Sequence, residues 1–282
     1  MRVPPLADLS VNRMVPNVLT VLALCAGMTA MRFAMGGNFQ AAVFSIIAAG
    51  VFDGLDGRMA RLLKATSSFG AELDSLSDFV SFGVAPAAVL YLWTLSELHG
   101  LGWAIALLFA VCCALRLARF NTEAAHELSS YGAPFFTGAP APAGAGLVMV
   151  PMFLSFEWGD WLFRSPYLSA VTVTGIALLM ISKVPTVSLK RIRIPHHLVV
   201  PTLLGFGVAT AFLTTEPWLT LTAVGIVYVS SIPLTIRSYF RRKRAAEASK
   251  AEPAEARAPV PLPTPTAIPL GETNAPPTEW RR

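Results

Sequence analysis

The chain has 282 residues, 54% of them hydrophobic and 14% charged, with a formal net charge of +5. Soluble domains carry about 25% charged residues. A chain this apolar, with a mean hydropathy of +0.57, is not an ordinary soluble domain, and the first expectation is an integral membrane protein.

The predicted elements are apolar stretches of about the 20 helical residues that cross a bilayer. They fall at roughly 16–35, 39–62, 71–95, 101–121, 140–156, 166–182, 197–214 and 217–237, the fifth and sixth being short. The fold class is therefore all-α, a polytopic helical bundle of about eight transmembrane helices. The joints at 36–39 and 214–217 are tight enough to demand antiparallel hairpins. The first stretch is followed by Gly36–Gly37 rather than a small-residue cleavage site, so no cleavable signal peptide is expected. Cys25, Cys112 and Cys113 sit in apolar segments without metal-ligand spacing and read as core residues. His196–His197, just before an apolar run, reads as a membrane-interface pair.

Basic residues orient the bundle. With a cytoplasmic N-terminus, Arg2, Arg13, Arg58, Arg61, Lys64, Arg116, Arg119, Lys183, Lys190, Arg191, Arg193, Arg237 and Arg241–Arg244 share one side, and only Arg32 and Arg164 fall on the other. The positive-inside rule then places both termini in the cytoplasm of a multi-pass protein of the cell membrane. Trp93, Trp103, Trp158, Trp161 and Trp218 fall near the opposite ends, as an interfacial aromatic belt would. The stretch "RSYFRRKR" suits anionic headgroups or a topogenic stop. The Pro-, Ala- and Glu-rich residues 245–282 lack an apolar period and read as a disordered tail. The domain division is 1–15, a membrane core over 16–240, and this tail.

Against that background, 53–78 reads "DGLDGRMARLLKATSSFGAELDSLSD". Asp53 and Asp56 are three apart and share a helix face, which Gly57 and Ala60 continue; Asp74 and Asp78 are four apart and share another. The link "KATSSF" is short, and Ser67 or Ser68 can cap the next helix, so the two acidic faces can converge near the end of a helical hairpin. Two carboxylates about 4 Å apart repel by about 4 kcal/mol at an effective dielectric near 20. Arg58 and Arg61 are a poor balance for four acids. Mg²⁺ or Mn²⁺ fits the all-oxygen donor set, and two ions bridged by carboxylates suit a phosphoryl-type displacement. An ion pathway in a divalent-cation transporter is the alternative from another class, although such sites normally lie near the midplane.

Asp53-x-x-Asp56-Gly57-x-x-Ala60-Arg61, eight residues, then Gly70-x-x-x-Asp74-x-x-x-Asp78 is similar to the signature of the CDP-alcohol phosphotransferase family at every defined position. The resemblance implies a membrane enzyme that transfers a substituted phosphate from a CDP-linked donor to an alcohol and releases CMP. It implies that Asp53, Asp56, Asp74 and Asp78 bind divalent metal and that Asp78 is the general base. It also implies CDP binding by Asn17, Thr20, Asp56, Gly57, Ala60, Arg61 and Gly70, and a homodimer. The residues 16–240 would then be a catalytic domain, with no nucleic-acid partner.

The stretches "PNVLT" (16–20), "SDFVSFGVAPA" (77–87), "ALRLARFN" (114–121), "GAPAPAGAG" (138–146) and "SKVPTVSLK" (182–190) look like the phosphatidylserine synthase branch of that family, over roughly 14–235. That branch joins L-serine to CDP-diacylglycerol. Arg116 and Arg119 share a helix face, with Asn121 beside them, and arginine binds carboxylate bidentately. Arg116, Arg119, Asn121 and Lys183 are the candidate serine-binding set, with Lys190 in the same loop as Lys183; a purely topogenic role is the alternative for these cations. Glycerol 3-phosphate, inositol phosphate or choline as acceptor stays open, although a phosphorylated one calls for a denser basic pocket. "GAPAPAGAG" suits either close helix packing or an irregular wall beside the site.

Overall fold

A computed structural model describes residues 11–127, 139–182 and 199–231, all within one compact unit, Met1–Tyr239. Lys183, Lys190, His196–His197, the basic stretch at 237–244 and the tail lie outside the described residues. Within them the chain is helical: α1 (Val11–Met35), α2 (Phe39–Leu62), α3 (Ser68–Asp78), a wide π turn (Phe79–Val84), α4 (Ala85–Trp93), a 3₁₀ turn (Leu95–Leu98), α5 (His99–Glu127), α6 (Ala141–Val148), α7 (Val150–Trp158), α8 (Asp160–Phe163), α9 (Pro166–Ile181), α10 (Val199–Thr215) and α11 (Pro217–Ser231).

Among the described residues five stretches are long and apolar enough to cross a bilayer: Met14–Met35, Phe39–Leu62, Ser68–Trp93, Leu95–Thr122 and Ala141–Trp158. Helices α9 and α11 are apolar but shorter. The chain is thus an all-helical, multi-pass bundle, and a count of eight rests on the sequence alone.

Local chemistry sets the ends. Gly37, at φ +74°, makes the turn between α1 and α2, and Asn38 caps α2 by accepting from the Ala41 N–H at 3.1 Å. Helix α2 stops in a Schellman motif: Lys64 is left-handed at φ +49°, its N–H bonds the Arg61 carbonyl at 3.3 Å, and the Ala65 N–H bonds the Ala60 carbonyl at 2.9 Å. Ser67 then caps α3 by accepting from the Gly70 N–H at 3.0 Å. The expected single helix over 71–95 is really α3, the π turn and α4 in sequence. Its wide turn comes just before Pro86, whose ring cannot follow a regular turn without meeting the carbonyl four residues back.

Packing between apolar helices in lipid relies on close approach rather than on the hydrophobic effect. The buried seam of α1 obeys this with small residues alone after Pro16: Thr20, Ala23, Gly27, Ala30 and Ala34, alternately three and four apart. Helix α2 faces it with Ala42, Ile46 and Ala49, and the same spacing continues to Asp53 and Asp56. The acids therefore extend the packed face instead of pointing to lipid.

Elsewhere Gly144 of α6 lies on α9, where a Cβ would stand 2.7 Å from the Met180 sulfur, so the described part of the small-residue run serves helix packing. Trp93 departs from the expected aromatic belt: it is 3% exposed and sits in the core, whereas Trp161 is 85% exposed. Trp218 of α11 packs its ring on Phe44 and Phe156, with centroids at 5.1 and 4.7 Å. Beyond α7, Asp160 accepts from the Ser155 hydroxyl and from Arg164 at 3.1 Å, and these donors hold its carboxyl below the usual range.

Candidate active site

Three helix ends meet at the acidic stretch. The seam spacing of α2 carries Asp53 and Asp56 to the α1 side, and the cap at Ser67 starts α3 so that Asp74 returns toward them. Asp53, Asp56 and Asp74 each offer a carboxylate oxygen within 4.8 Å of the others. Asp78, one turn after Asp74, lies within hydrogen-bond reach of Asp53. A hard, anionic, all-oxygen set of this kind fits Mg²⁺ or Mn²⁺. The four acids singled out by spacing are thus brought together, three in one tight group and Asp78 at its edge.

Beside the acids is a cavity of about 190 Å³ lined by Pro16, Asn17, Thr20, Asp56, Gly57, Ala60, Ala65, Thr66, Ser67, Gly70, Ala71 and Asp74. Six of the seven expected nucleotide-binding residues are on this wall; the seventh, Arg61, is exposed and donates from Nε to the Gly57 carbonyl at 2.9 Å. The glycines keep the wall thin. A Cβ on Gly57 would meet nothing within 4 Å, and one on Gly70 would stand 3.0 Å from Asn17 Oδ1. Asp56 is buried, and the Thr20 hydroxyl lies 2.6 Å from its Oδ2. Arg58 is exposed, like Arg61, and neither is folded in among the acids.

Helix α5 forms the other flank. Cys113 packs on Gly83, where a Cβ would come within 3.1 Å of its Cβ, and Asn121 Nδ2 donates to Ser75 Oγ at 2.9 Å. Between these contacts Arg116 is half-buried in the field of Asp78 and of Tyr228 from α11. Its Nε is buried and makes no hydrogen bond to any described residue. Of the expected serine-binding set, Arg116 is the one facing Asp78. Asn121 is exposed and spends an amide proton on Ser75, Arg119 is partly buried on the same helix, and Lys183 is outside the described residues.

Some of this was not visible in the sequence. Ala65, Thr66 and Ser67 read as a linker and a cap but also line the cavity. Tyr228 is far along the chain and carried no motif. Thr20 was expected on the nucleotide side but not as a partner of Asp56, and Ser77 sits in an apolar helix where a lone Ser gives no periodic signal.

Comparison with known proteins agrees with this geometry. A family model described as CDP-alcohol phosphatidyltransferase matches residues 13–183, and a second, CDP-alcohol phosphatidyltransferase 2, matches 197–233. The CDP-diacylglycerol–serine O-phosphatidyltransferase of Mycobacterium tuberculosis (strain ATCC 25618 / H37Rv) is 39% identical over 227 residues, 80% of this chain and 79% of its own. The protein of the same name from Helicobacter pylori (strain ATCC 700392 / 26695) is 34% identical over 181 residues, 63% of this chain and 73% of its own. Its counterpart in Methanocaldococcus jannaschii is 39% identical over 170 residues, 60% of this chain and 72% of its own. A match that runs through all four acids and covers more than half of the chain, with relatives aligned along most of their own length, decides the matter: the chain belongs to the CDP-alcohol phosphatidyltransferase family.

Proposed function

We propose that the protein transfers the phosphatidyl group of CDP-diacylglycerol to the hydroxyl of L-serine and releases CMP. The observation that carries this reading is the convergence of Asn17, Thr20, Asp56, Gly57, Ala60 and Gly70 on one cavity that shares Asp56 and Asp74 with the acidic group. The names of the relatives support serine as the acceptor.

In this reading Asp53, Asp56, Asp74 and Asp78 hold two divalent cations, Mg²⁺ or Mn²⁺; metal dependence is general in the family. Ions held there supply positive charge to the diphosphate and to the departing CMP. The bare backbone at Gly57 and Gly70 admits the diphosphate, and Arg61 carries terminal nitrogens suited to a phosphate. Arg116 takes the serine carboxylate, because its buried Nε is a donor with no hydrogen-bond partner among the described residues. Arg119 and Asn121 of the same helix are proposed with it, as is Lys183 on the sequence alone. Asp78 accepts the serine hydroxyl proton; the oxygen bonds to the lipid-bearing phosphorus as the bond from that phosphorus to the CMP oxygen breaks. The acyl chains stay in the bilayer. The basic-residue asymmetry supports a cytoplasmic site with both termini on that side; family resemblance supports a homodimer with 16–240 as the catalytic domain, and composition supports 245–282 as a tail.

The test is CMP release by purified protein in detergent, with CDP-diacylglycerol and a panel of L-serine, glycerol 3-phosphate, inositol phosphate and choline. Release should require L-serine and Mg²⁺ or Mn²⁺ and should stop with a chelator. Asp53→Asn, Asp56→Asn and Asp74→Asn should each lose most activity, and Asp78→Asn should lower kcat while lipid binding is kept. Arg116→Leu should raise the KM for serine about ten- to a hundredfold, since one charge-assisted hydrogen bond is worth about 1.5–3 kcal/mol. Faster release with another acceptor overturns the serine assignment, full activity under chelator overturns the metal, and no CMP release with any acceptor leaves the transporter reading.

A further inference from the structure

Thr20 faces two helices at once. Its hydroxyl lies 2.6 Å from Asp56 Oδ2 of α2, and its backbone carbonyl accepts from the Ser77 hydroxyl of α3 at 3.0 Å. All three residues are almost sealed from solvent, with Thr20 and Ser77 3% exposed and Asp56 5%. One turn further, the Ser81 hydroxyl repeats the pattern on the Ala23 carbonyl at 3.1 Å. Gly27 then lets the backbones touch, since a Cβ there would stand 2.8 Å from the Ser81 Cα. The third helix is thus buttoned to α1 by hydroxyls on successive turns, and α1 is joined to the acid of α2 by one more.

We propose that Thr20 and Ser77 are positioning residues for Asp56: the Thr20 hydroxyl fixes the rotation of that carboxylate, and Ser77 fixes Thr20. The inference rests on the metal assignment above and extends it to residues that touch no ion. An ionised carboxylate only accepts hydrogen bonds and can swing about its last bond. A buried hydroxyl donor on one oxygen removes that freedom. Partners of this kind typically contribute ten- to a hundredfold to metal affinity or activity. Thr20 also edges the cavity as an expected nucleotide contact, so the positioning role is read from metal binding rather than from activity.

The experiment uses the full-length protein and Mn²⁺, with bound ion read directly by electron paramagnetic resonance and activity read as CMP release. Thr20→Val keeps the shape and removes the hydroxyl. It should weaken Mn²⁺ binding, measured without lipid, about ten- to a hundredfold, a loss that removal of a nucleotide contact alone would not produce. Thr20→Ser should retain wild-type Mn²⁺ binding, which guards against a general packing defect. Ser77→Ala should shift Mn²⁺ binding in the same direction by a smaller factor. Unchanged Mn²⁺ binding in Thr20→Val overturns the positioning role. Should wild type itself fail to bind Mn²⁺, or Asp56→Asn keep full activity, the metal assignment beneath it falls instead.

Discussion

Two glycines show how much a single Cβ decides in this bundle. Gly27 is pressed on the third helix, where a Cβ would lie 2.6 Å from Ser81 Oγ and 2.8 Å from Ser81 Cα. A side-chain oxygen can turn away, but a backbone atom moves only with its helix. Gly27→Ala should therefore destabilise the protein by about 1–3 kcal/mol, the usual cost of overpacking. Gly54, also inside a helix, has nothing within 4 Å of its Cβ position. Gly54→Ala should stabilise by about 0.4–1 kcal/mol through the unfolded chain. Thermal unfolding in one detergent checks both, and shifts of the same sign would contradict this picture of the seam. At this scale the sequence was most informative about charge. Acids at 53, 56, 74 and 78 are so costly in apolar helices that spacing alone gave their shared faces. Thr20 and Ser77 were not legible as partners, because a hydroxyl buried in a helix costs little and can satisfy itself on its own backbone. Arg116 was legible as a cation near the site; that it is half-buried, and that Tyr228 lies near it, needed the fold.

Helix ends carry the next level of organisation. Asn38 and Ser67 do the same physical work, each accepting a backbone N–H of the helix it starts, at 3.1 and 3.0 Å. Loss of either cap should cost about 1 kcal/mol. Their surroundings differ. Ser67 lines the cavity with the acids, whereas Asn38 begins α2 at the end away from them. Asn38→Ala should lower Tm and leave the KM for CDP-diacylglycerol unchanged; Ser67→Ala should lower Tm by a similar amount and raise that KM. Equal effects on KM would mean that the link after α2 is only a linker. Helix existence was legible here from apolar length, and a serine cap at 67 or 68 from residue type, with the fold choosing Ser67. The wide turn at Phe79–Val84 was not, because it answers to Pro86 and to the contacts of Ser81 and Gly83 with α1 and α5, and neither disturbs the apolar run that announces a span.

For the molecule as a whole, the span Ser68–Trp93 separates Lys64 from Glu97, both exposed. A membrane-impermeant maleimide should label Lys64→Cys from the cytoplasmic face of sealed vesicles and Glu97→Cys from the other; labelling of both from one face would contradict the proposed orientation. The multi-pass architecture was legible because membrane thickness sets a length that composition must obey. The number of spans was not, since several of the later helices are short and their order depends on neighbours rather than on hydropathy. One helix, finally, serves two masters. A regular transmembrane helix presents a single stripe to its neighbours from end to end, so a residue gained or lost anywhere re-aims everything beyond it. The π turn gives Ser68–Trp93 a phase step instead. The acidic half keeps its own angular setting against α1 and α2, while the half after Ala85 keeps another in the core. The two halves of one continuous rod therefore answer to different neighbours, the acids to the carboxylates of α2 and the apolar residues after Ala85 to the core.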